Sequence, residues 1–238
     1  MKAGILLDGF VPPPLPRNIK MDGTFVRLVP VSVTAHADQL FKSFQTDIGG
    51  KNWTYLPYGP FEDVQAFTAW LETVEGCEDP VFFTIIRQAD NIAVGVASYL
   101  RIAPEHGSIE VGHIHFSPLM QNTILGTEAM YLMMRWAFEA GYRRYEWKCN
   151  ALNRKSRQAA QRLGLSYEGV FRQSNIYKGR NRDTAWFAAI DSEWPQLKRC
   201  FERYLDTGNL DAENRPKTSL TSLTKPLLYK HDTFEFCE

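Results

Sequence analysis

Two alternating periodicities along most of the chain constrain its fold most strongly. Tyr145, Trp147 and Cys149 alternate with polar neighbours, which is the spacing of a half-buried β-strand. Across residues 61–74 the apolar residues instead recur at intervals of three and four, which is the spacing of an amphipathic helix. Segments of the two kinds follow one another. The sequence therefore predicts an α/β or α+β domain with a mixed sheet.

The predicted elements are close enough together to form one sheet with helices around it. Strands are predicted at residues 25–29, 81–86, 92–102, 109–116, 145–149, 168–177 and 184–190. Helices are predicted at residues 35–44, 61–74, 127–139 and 154–163, with Gly141 ending the third and Asn153 capping the fourth.

Three regions are expected along the chain. Residues 1–20 are proline-rich and predict an extended N-terminal arm. Residues 21–205 form the predicted domain. Residues 206–238 are rich in Thr, Ser, Lys and Asp and predict a C-terminal tail, which Phe234 and Phe236 could dock on the body.

Composition argues against several classes of protein. The 27 Lys and Arg residues balance 27 Asp and Glu residues, which argues against a histone-like nucleic-acid binder. No apolar run approaches the ~20 residues of a membrane span, and the N-terminus is a poor secretory signal. The four cysteines include no CxxC pair. We therefore expect free thiols, no metal site and a cytoplasmic location.

Residues 116–128, FSPLMQNTILGTE, mark the point where a predicted strand gives way to a long helix. The first turn of a helix presents free backbone N–H groups, which suit an anionic phosphate. The segment has neither the Gly-Lys-Ser/Thr of a Walker A loop nor the G-x-G-x-x-G of a dinucleotide site. Taken alone, it favours an ordinary strand–helix corner.

Two blocks of motifs change that interpretation. The chain reads EVGHIHF at residues 110–116, then Pro118, then QNTILGTEA at residues 121–129. Asn153 and Ser156 follow, and then RLGLSYEG at residues 162–169. The blocks resemble the GCN5-related N-acetyltransferase (GNAT) superfamily, in the branch of the ribosomal-protein alanine acetyltransferases RimJ and RimL. That branch typically reads E-I-G-Y-W-L, a proline, Q-G-K-G-[IY]-[AG]-T-E-A, N-x-x-S and K-[LA]-G-F-x-x-E-G.

The resemblance covers about residues 21–195 and implies a fold, a donor and a loop. The fold is a mixed, strongly twisted sheet of about seven strands flanked by helices, with acetyl-CoA in a cleft where two strands splay apart. Backbone N–H groups of the loop would hold the coenzyme pyrophosphate, and Asn153 would contact the pantetheine arm. The residues that the resemblance assigns to the coenzyme are Phe116, Ser117, Gln121, Asn122, Thr123, Leu125, Gly126, Thr127 and Asn153.

The loop departs from the family pattern at Asn122 and Ile124, where the family has glycine. A β-branched residue strongly disfavours a positive φ. Either Ile124 adopts helical backbone angles, or coenzyme binding is weakened. We expect the first, because the surrounding motif is intact. The alternative is a non-catalytic acyl-CoA-binding module.

Acetyl transfer to an amine needs a group that takes the amine proton and a donor for the departing thiolate. Glu110 lies at the family position that relays the proton through water, unless it is an ordinary strand carboxylate. His113 is a second candidate base near neutral pH, unless it is structural. Strand alternation places His113 and His115 opposite Glu110, although a bulge at Gly112 would break that pattern. Ser156 would assist thiolate departure, or only cap a helix.

The acceptor is expected near the aromatic residues Trp53, Tyr55, Tyr58 and Phe61, which otherwise form a satellite core. Residues 181–183 could serve the turn only, or Arg182 or Asp183 could reach the acceptor. The prediction is an acyltransferase that acetylates a primary amine. A small molecule is favoured because the arm and the tail could enclose the pocket, and a protein N-terminus or lysine is the alternative. No nucleic-acid or membrane partner is expected. Both a monomer and a homodimer stay open.

Overall fold

One mixed sheet forms the centre of the protein, whose computed structural model describes residues 4–213 and 215–234. Its strands are β1 (Met21–Asp22), β2 (Val26–Pro30), β3 (Val81–Arg87), β4 (Ile92–Ala103), β5 (Ser108–Phe116), β6 (Arg144–Asn150), β7 (Ser166–Tyr177) and β8 (Arg180–Ile190). The strand order is β1-β2-β3-β4-β5-β6-β8-β7. The pair β5 and β6 is parallel, and the other neighbours are antiparallel.

Helices flank the sheet, which confirms the predicted fold class. In the described residues they are α1 (Val33–Phe44), α2 (Val64–Glu72), α3 (Ile124–Glu139), α4 (Arg154–Arg162), α5 (Trp194–Leu205) and α6 (Leu220–Thr224). All seven predicted strands are present, and the two-residue β1 is an eighth. The four predicted helices are also present, whereas α5 and α6 were not predicted. None of the helices in these ranges is both long and apolar enough to cross a membrane.

Each face of the sheet is covered by its own hydrophobic core. The larger core packs α3 and α5 on one face and includes Ile109, Val111 and Trp147 of the central strands. The smaller core packs α1 and α2 on the other face and includes Phe82 and Val96. The two faces therefore have different neighbours at the middle of the sheet.

The central strands β5 and β6 separate after a short pairing. Residues 108–111 of β5 pair with residues 144–147 of β6, and then both strands continue without pairing to each other. A β-bulge lies at the same point, because Gly112 pairs with Ser98 and His115 pairs with Val96. His113, inside the bulge, has a φ of 50°. Bulges bend a strand, so β5 turns away from β6 and a wedge opens between them.

The arm and the tail both pack on the domain. Residues 4–20 contain no helix or strand, and the Tyr142 hydroxyl donates to Pro14 O near the start of β6. In the tail, Asp232 forms a bidentate ion pair of 2.6 and 2.7 Å with the buried Arg157 of α4. Phe236 lies outside the described residues.

The three described cysteines, at positions 77, 149 and 200, are free thiols, as predicted. The fourth, Cys237, lies outside the described residues.

The carboxylate of Glu128 connects α3 to the turn between β1 and β2. It accepts the N–H groups of Thr24, Phe25 and Val26 at 2.6–2.7 Å. A Cβ on Gly23 would lie 2.6 Å from the carboxyl carbon, so glycine makes this close approach possible. Burial raises the pKa of Glu128, and the three N–H donors offset part of that rise. This motif glutamate is therefore explained by the fold alone.

We expect Glu128→Gln to destabilise the fold, because the amide NH₂ would face backbone N–H donors in a buried site. The free energy of unfolding, measured by urea denaturation, should fall by about 2–3 kcal/mol. Glu139→Gln on the same helix is the control. Its carboxylate is 49% exposed and pairs with Lys198, so the loss should stay below about 0.5 kcal/mol. Equal losses in the two variants would contradict this role of Glu128.

Candidate active site

The loop between β5 and α3 is closed by its own hydrogen bonds. Ser117 O accepts the N–H groups of Met120 and Gln121, and the Gln121 side chain donates to Phe116 O at 2.8 Å. Thr123 is the N-cap of α3, with its hydroxyl oxygen accepting from Leu125 N. These side chains shape the loop.

The two substituted glycine positions are accommodated in different ways. Asn122 has a φ of 58°, in the left-handed region that asparagine tolerates better than most residues. Ile124 is the first residue of α3, and its side chain is buried in the larger core. The expectation that Ile124 adopts helical angles is therefore confirmed, and the loop keeps its shape without those glycines.

Gly126 lies against an aromatic ring. A Cβ at this position would lie 3.0 Å from Phe116 Cε2, so the missing side chain makes room for Phe116. Leu125 packs on the larger core, and the buried Thr127 hydroxyl accepts from Arg162 at 3.0 Å. The predicted coenzyme residues of the loop therefore lie together, although most of their side chains serve the fold.

Backbone N–H groups remain available at this end of α3. Among the described residues, the N–H groups of Thr123, Ile124 and Gly126 have no acceptor. The hydroxyl of Ser117 is buried and also has no partner there. A helix N-terminus with free N–H groups favours negative charge. The loop therefore fits a phosphate group.

Asn153 and Ser156 lie at the start of α4, on the same face of the sheet as α3. Asn153 Oδ1 accepts from Ser156 N at 3.1 Å, so Asn153 caps the helix as one of the two interpretations predicted. The Ser156 hydroxyl oxygen accepts from the Trp147 indole N–H at 2.9 Å. Burial raises the pKa of the neighbouring Cys149 thiol to about 11, and a hydrogen bond from Ser156 offsets part of the rise.

Glu110 is buried on β5 and holds two cations. Its Oε2 atom lies 2.8 Å from Arg101 Nη1 and 2.8 Å from Lys148 Nζ. Lys148 also pairs with Glu146 at 2.7 Å and lies 3.8 Å from the centre of the Trp186 ring. Burial raises the pKa of Glu110, although both cations oppose the rise. Oε1 has no hydrogen-bond partner within the described part of the chain.

The two histidines lie on the face of Glu110, so strand alternation gave the wrong face. Ile109 and Val111 belong to the larger core, and Glu110 between them therefore points to the opposite face. His113 packs on Phe82 of the smaller core, which covers that opposite face. The bulge places one extra residue between Gly112 and His115 and reverses the alternation.

Both histidines are neutral at pH 7. Burial lowers the pKa of His113 to about 4 and that of His115 to about 3. His113 Nδ1 lies 3.2 Å from the Tyr58 hydroxyl. His115 stacks on Trp53, with 3.8 Å between the two ring centres. A base with such a low pKa accepts a proton weakly, which argues against His113 as a general base near neutral pH.

The predicted acceptor aromatics divide into two groups. Trp53, Tyr58 and Phe61 pack in or against the smaller core, as the satellite-core alternative predicted, and the Tyr58 hydroxyl contacts His113 on the same face. Tyr55 instead reaches across the wedge and donates to Leu152 O, just after β6, at 3.2 Å.

The hairpin of β7 and β8 forms one wall of the cleft, the space around the wedge on the face of Glu110. Lys178, at its turn, donates to Trp53 O and Gly59 O at 3.2 Å. The arm, by contrast, contacts the other end of β5, where Phe10 lies beside Gly107. Sequence reasoning missed Lys178 and the cation partners of Glu110, because these contacts join segments that are distant in the sequence.

Among the described residues no cluster of three or more His, Cys, Asp or Glu side chains could hold a metal ion.

Known proteins share both the sequence pattern and the architecture. The acetyltransferase (GNAT) domain model matches residues 26–166. The uncharacterized N-acetyltransferase YnaD of Bacillus subtilis is 28% identical over 144 residues, which cover 59% of this chain and 81% of YnaD. The GCN5-related N-acetyltransferase of Brucella melitensis superposes with a TM-score of 0.89 at 38% identity, over 92% of this chain and 99% of that chain. A GNAT-family protein of Chromobacterium violaceum gives a TM-score of 0.76 at 38% identity, over 82% and 98%.

The family match covers more than half of the chain and spans the wedge, the loop and α4. The protein therefore belongs to the GCN5-related N-acetyltransferase superfamily and is an acyltransferase.

Proposed function

We propose that the protein transfers an acetyl group from acetyl-CoA to a primary amine, with a small-molecule acceptor favoured. The observation that carries this proposal is the wedge between β5 and β6. It has free N–H groups of α3 on one face of the sheet and the buried carboxylate of Glu110 on the other. A donor and an acceptor approaching from opposite faces would meet between the two strands.

Support for the coenzyme comes from the loop and from related folds. The N–H groups of Thr123, Ile124 and Gly126 and the hydroxyl of Ser117 suit a pyrophosphate. The acetyltransferases RimL and MccE share the fold at 19% and 18% identity and were solved with coenzyme A and acetyl-CoA, respectively. The face of α3 and α4 is the proposed coenzyme side.

Glu110 and Ser156 have separate roles in the proposed reaction. Acetyl-CoA supplies an acetyl thioester, whose carbonyl carbon bonds to the amine nitrogen as the carbon–sulfur bond breaks. Glu110 takes the amine proton, directly at Oε1 or through one water. The sulfur departs as a thiolate, which accepts a hydrogen bond from the O–H group of Ser156, whose oxygen in turn accepts from the Trp147 indole N–H.

Enclosure of the acceptor side favours a small molecule. Two contacts hold the aromatic segment, residues 53–61, over the wedge. Lys178 joins it to the hairpin, and Tyr55 joins it to the end of β6. The sequence led us to expect enclosure by the arm and the tail, but both pack elsewhere. A protein N-terminus or lysine stays the alternative acceptor.

Thermal shift with acetyl-CoA and thiol release with a panel of amines test the proposal. We expect acetyl-CoA to raise Tm and an amine to trigger thiol release. A rise in Tm without any acceptor-dependent release would favour a non-catalytic acyl-CoA-binding module. No rise and no release would contradict both functions.

The phosphate site can be tested at the N-cap of α3. Thr123→Asp keeps a good cap and places a favourable negative charge at the helix N-terminus, so stability should hold. The same charge beside a pyrophosphate should raise the acetyl-CoA KM roughly tenfold or more. Ser219→Asp, at the N-cap of α6, is the matched control and should leave KM unchanged. An unchanged KM in Thr123→Asp would remove the loop from the site.

Ser156 can be tested by deleting and restoring its hydroxyl. Ser156→Ala should lower kcat roughly 10- to 1000-fold with little change in the acetyl-CoA KM, as for the loss of one donor to a developing charge. It should also cost about 1 kcal/mol of stability, because Trp147 loses its acceptor. Ser156→Thr keeps a hydroxyl and should recover part of kcat. If kcat per folded molecule is unchanged in Ser156→Ala, the serine only supports the helix.

The base can be identified from the acidic limb of the pH–rate profile. A base must be deprotonated, so kcat/KM should fall as pH falls through its pKa. Burial raises the pKa of Glu110 above 4.5, whereas that of His113 is about 4. We expect a limb above pH 4.5 that Glu110→Gln removes and His113→Gln leaves in place. Acceptors of different amine pKa control for the titration of the amine itself. A limb that persists in Glu110→Gln would exclude Glu110.

A further inference from the structure

One arginine of the cleft has no anionic partner. The side chain of Arg182, on β8, forms no ion pair or hydrogen bond with any described residue, and its Nε atom is buried without an acceptor. Its guanidinium instead lies 5.6 Å from the centre of the Tyr177 ring. A buried N–H donor without an acceptor is costly, so an arrangement of this kind calls for a partner from outside the chain.

Strand register places Arg182 on the acceptor side of the sheet. Lys148 pairs with Trp186 in the ladder, and the Lys148 ammonium lies over the Trp186 ring, so both side chains are on the face of Glu110. Arg182 is four residues before Trp186 on the same strand and therefore shares this face. Its positive charge also contributes to the low pKa of His113, which lies across the wedge on β5.

The other cations of the cleft already have partners. Arg101 and Lys148 are paired with Glu110, and Lys148 also with Glu146. Lys178 donates to two backbone carbonyls. Arg182 is therefore the cation of this cleft whose charge no described residue balances.

We propose that Arg182 binds a carboxylate of the acceptor, so that the acceptor is a small primary amine of the amino-acid type. Guanidinium groups bind carboxylates through two parallel hydrogen bonds, which would also fix the orientation of the amine. The amine would then point along the sheet face toward Glu110 and the wedge. This inference rests on the proposed function and adds the chemical class of its acceptor.

The test compares amines with and without a carboxylate. The natural L-amino acids are assayed by thiol release, each beside its primary amide and its decarboxylated amine. The amide is less basic and the decarboxylated amine more basic than the amino acid, so the set controls for amine pKa. We expect kcat/KM for the preferred amino acids to exceed both neutral analogues roughly 10- to 100-fold.

Variants assign that preference to a residue. Arg182→Gln should remove the 10- to 100-fold advantage while the neutral amines and the acetyl-CoA KM are unaffected. Arg182→Lys should keep part of it. Arg180→Gln is the matched control, because Arg180 is exposed on the same hairpin. Equal use of charged and neutral amines by the wild type would overturn the inference while leaving the acetyltransferase function in place. An equal loss of kcat/KM for all amines in Arg182→Gln would also overturn the inference and leave the acetyltransferase function in place.

Product binding gives a readout that does not need turnover. N-acetyl amino acids carry the carboxylate and should raise Tm in the wild type but not in Arg182→Gln, whereas N-acetyl amino-acid amides should have no effect on either. Such binding without turnover would support the carboxylate site and contradict the proposed reaction. Turnover without Arg182-dependent binding would support the proposed reaction and contradict the carboxylate site.

Discussion

The bulge at His113 is the constraint on which the rest of the site depends. Three steps along β5, from Gly112 to His115, span only two along β4, and β5 therefore bends away from its parallel neighbour. Without the bend, the ladder between β5 and β6 would continue and occupy the wedge with backbone hydrogen bonds. The extra residue also reverses strand alternation, which brings His113 to the side of Glu110. The extra residue of the bulge thus opens the wedge and determines which side chains line the cleft.

Burial and charge are balanced differently on the two sides of this wedge. On the face of Glu110, Glu110 and Glu146 share Lys148, while Arg101 pairs with Glu110 and Arg144 with Glu146. The burial of each carboxylate is therefore offset by cations at hydrogen-bond distance. The two histidines among the aromatic residues are neutral instead, because burial lowers the pKa of each. The carboxylate of Glu110 therefore keeps cation partners and one free oxygen, whereas the neighbouring histidines are neutral.

Much of the fold was predictable because it follows from local patterns. The strand periods, the N-cap at Asn153 and the helical angles of Ile124 are properties of short segments. The site was less predictable because its contacts join distant segments. The partners of Glu110 depend on the register of three strands, and the face of His113 depends on the bulge. Motif residues also took structural roles that no spacing reveals, as with Glu128.

The loop and the cleft depend on their residues in different ways. The available groups of the loop are mainly backbone N–H groups, so Asn122 and Ile124 can replace glycines without changing what the loop presents. The opposite face presents side chains, namely the Glu110 carboxylate, two tyrosine hydroxyls and the Arg182 guanidinium. A surface of side chains changes its chemistry with each substitution, whereas a surface of N–H groups changes only when the backbone moves. Under the proposed function, the donor site is therefore set by the fold, and the choice of acceptor is set by a few residues on β5, on β8 and in residues 53–61.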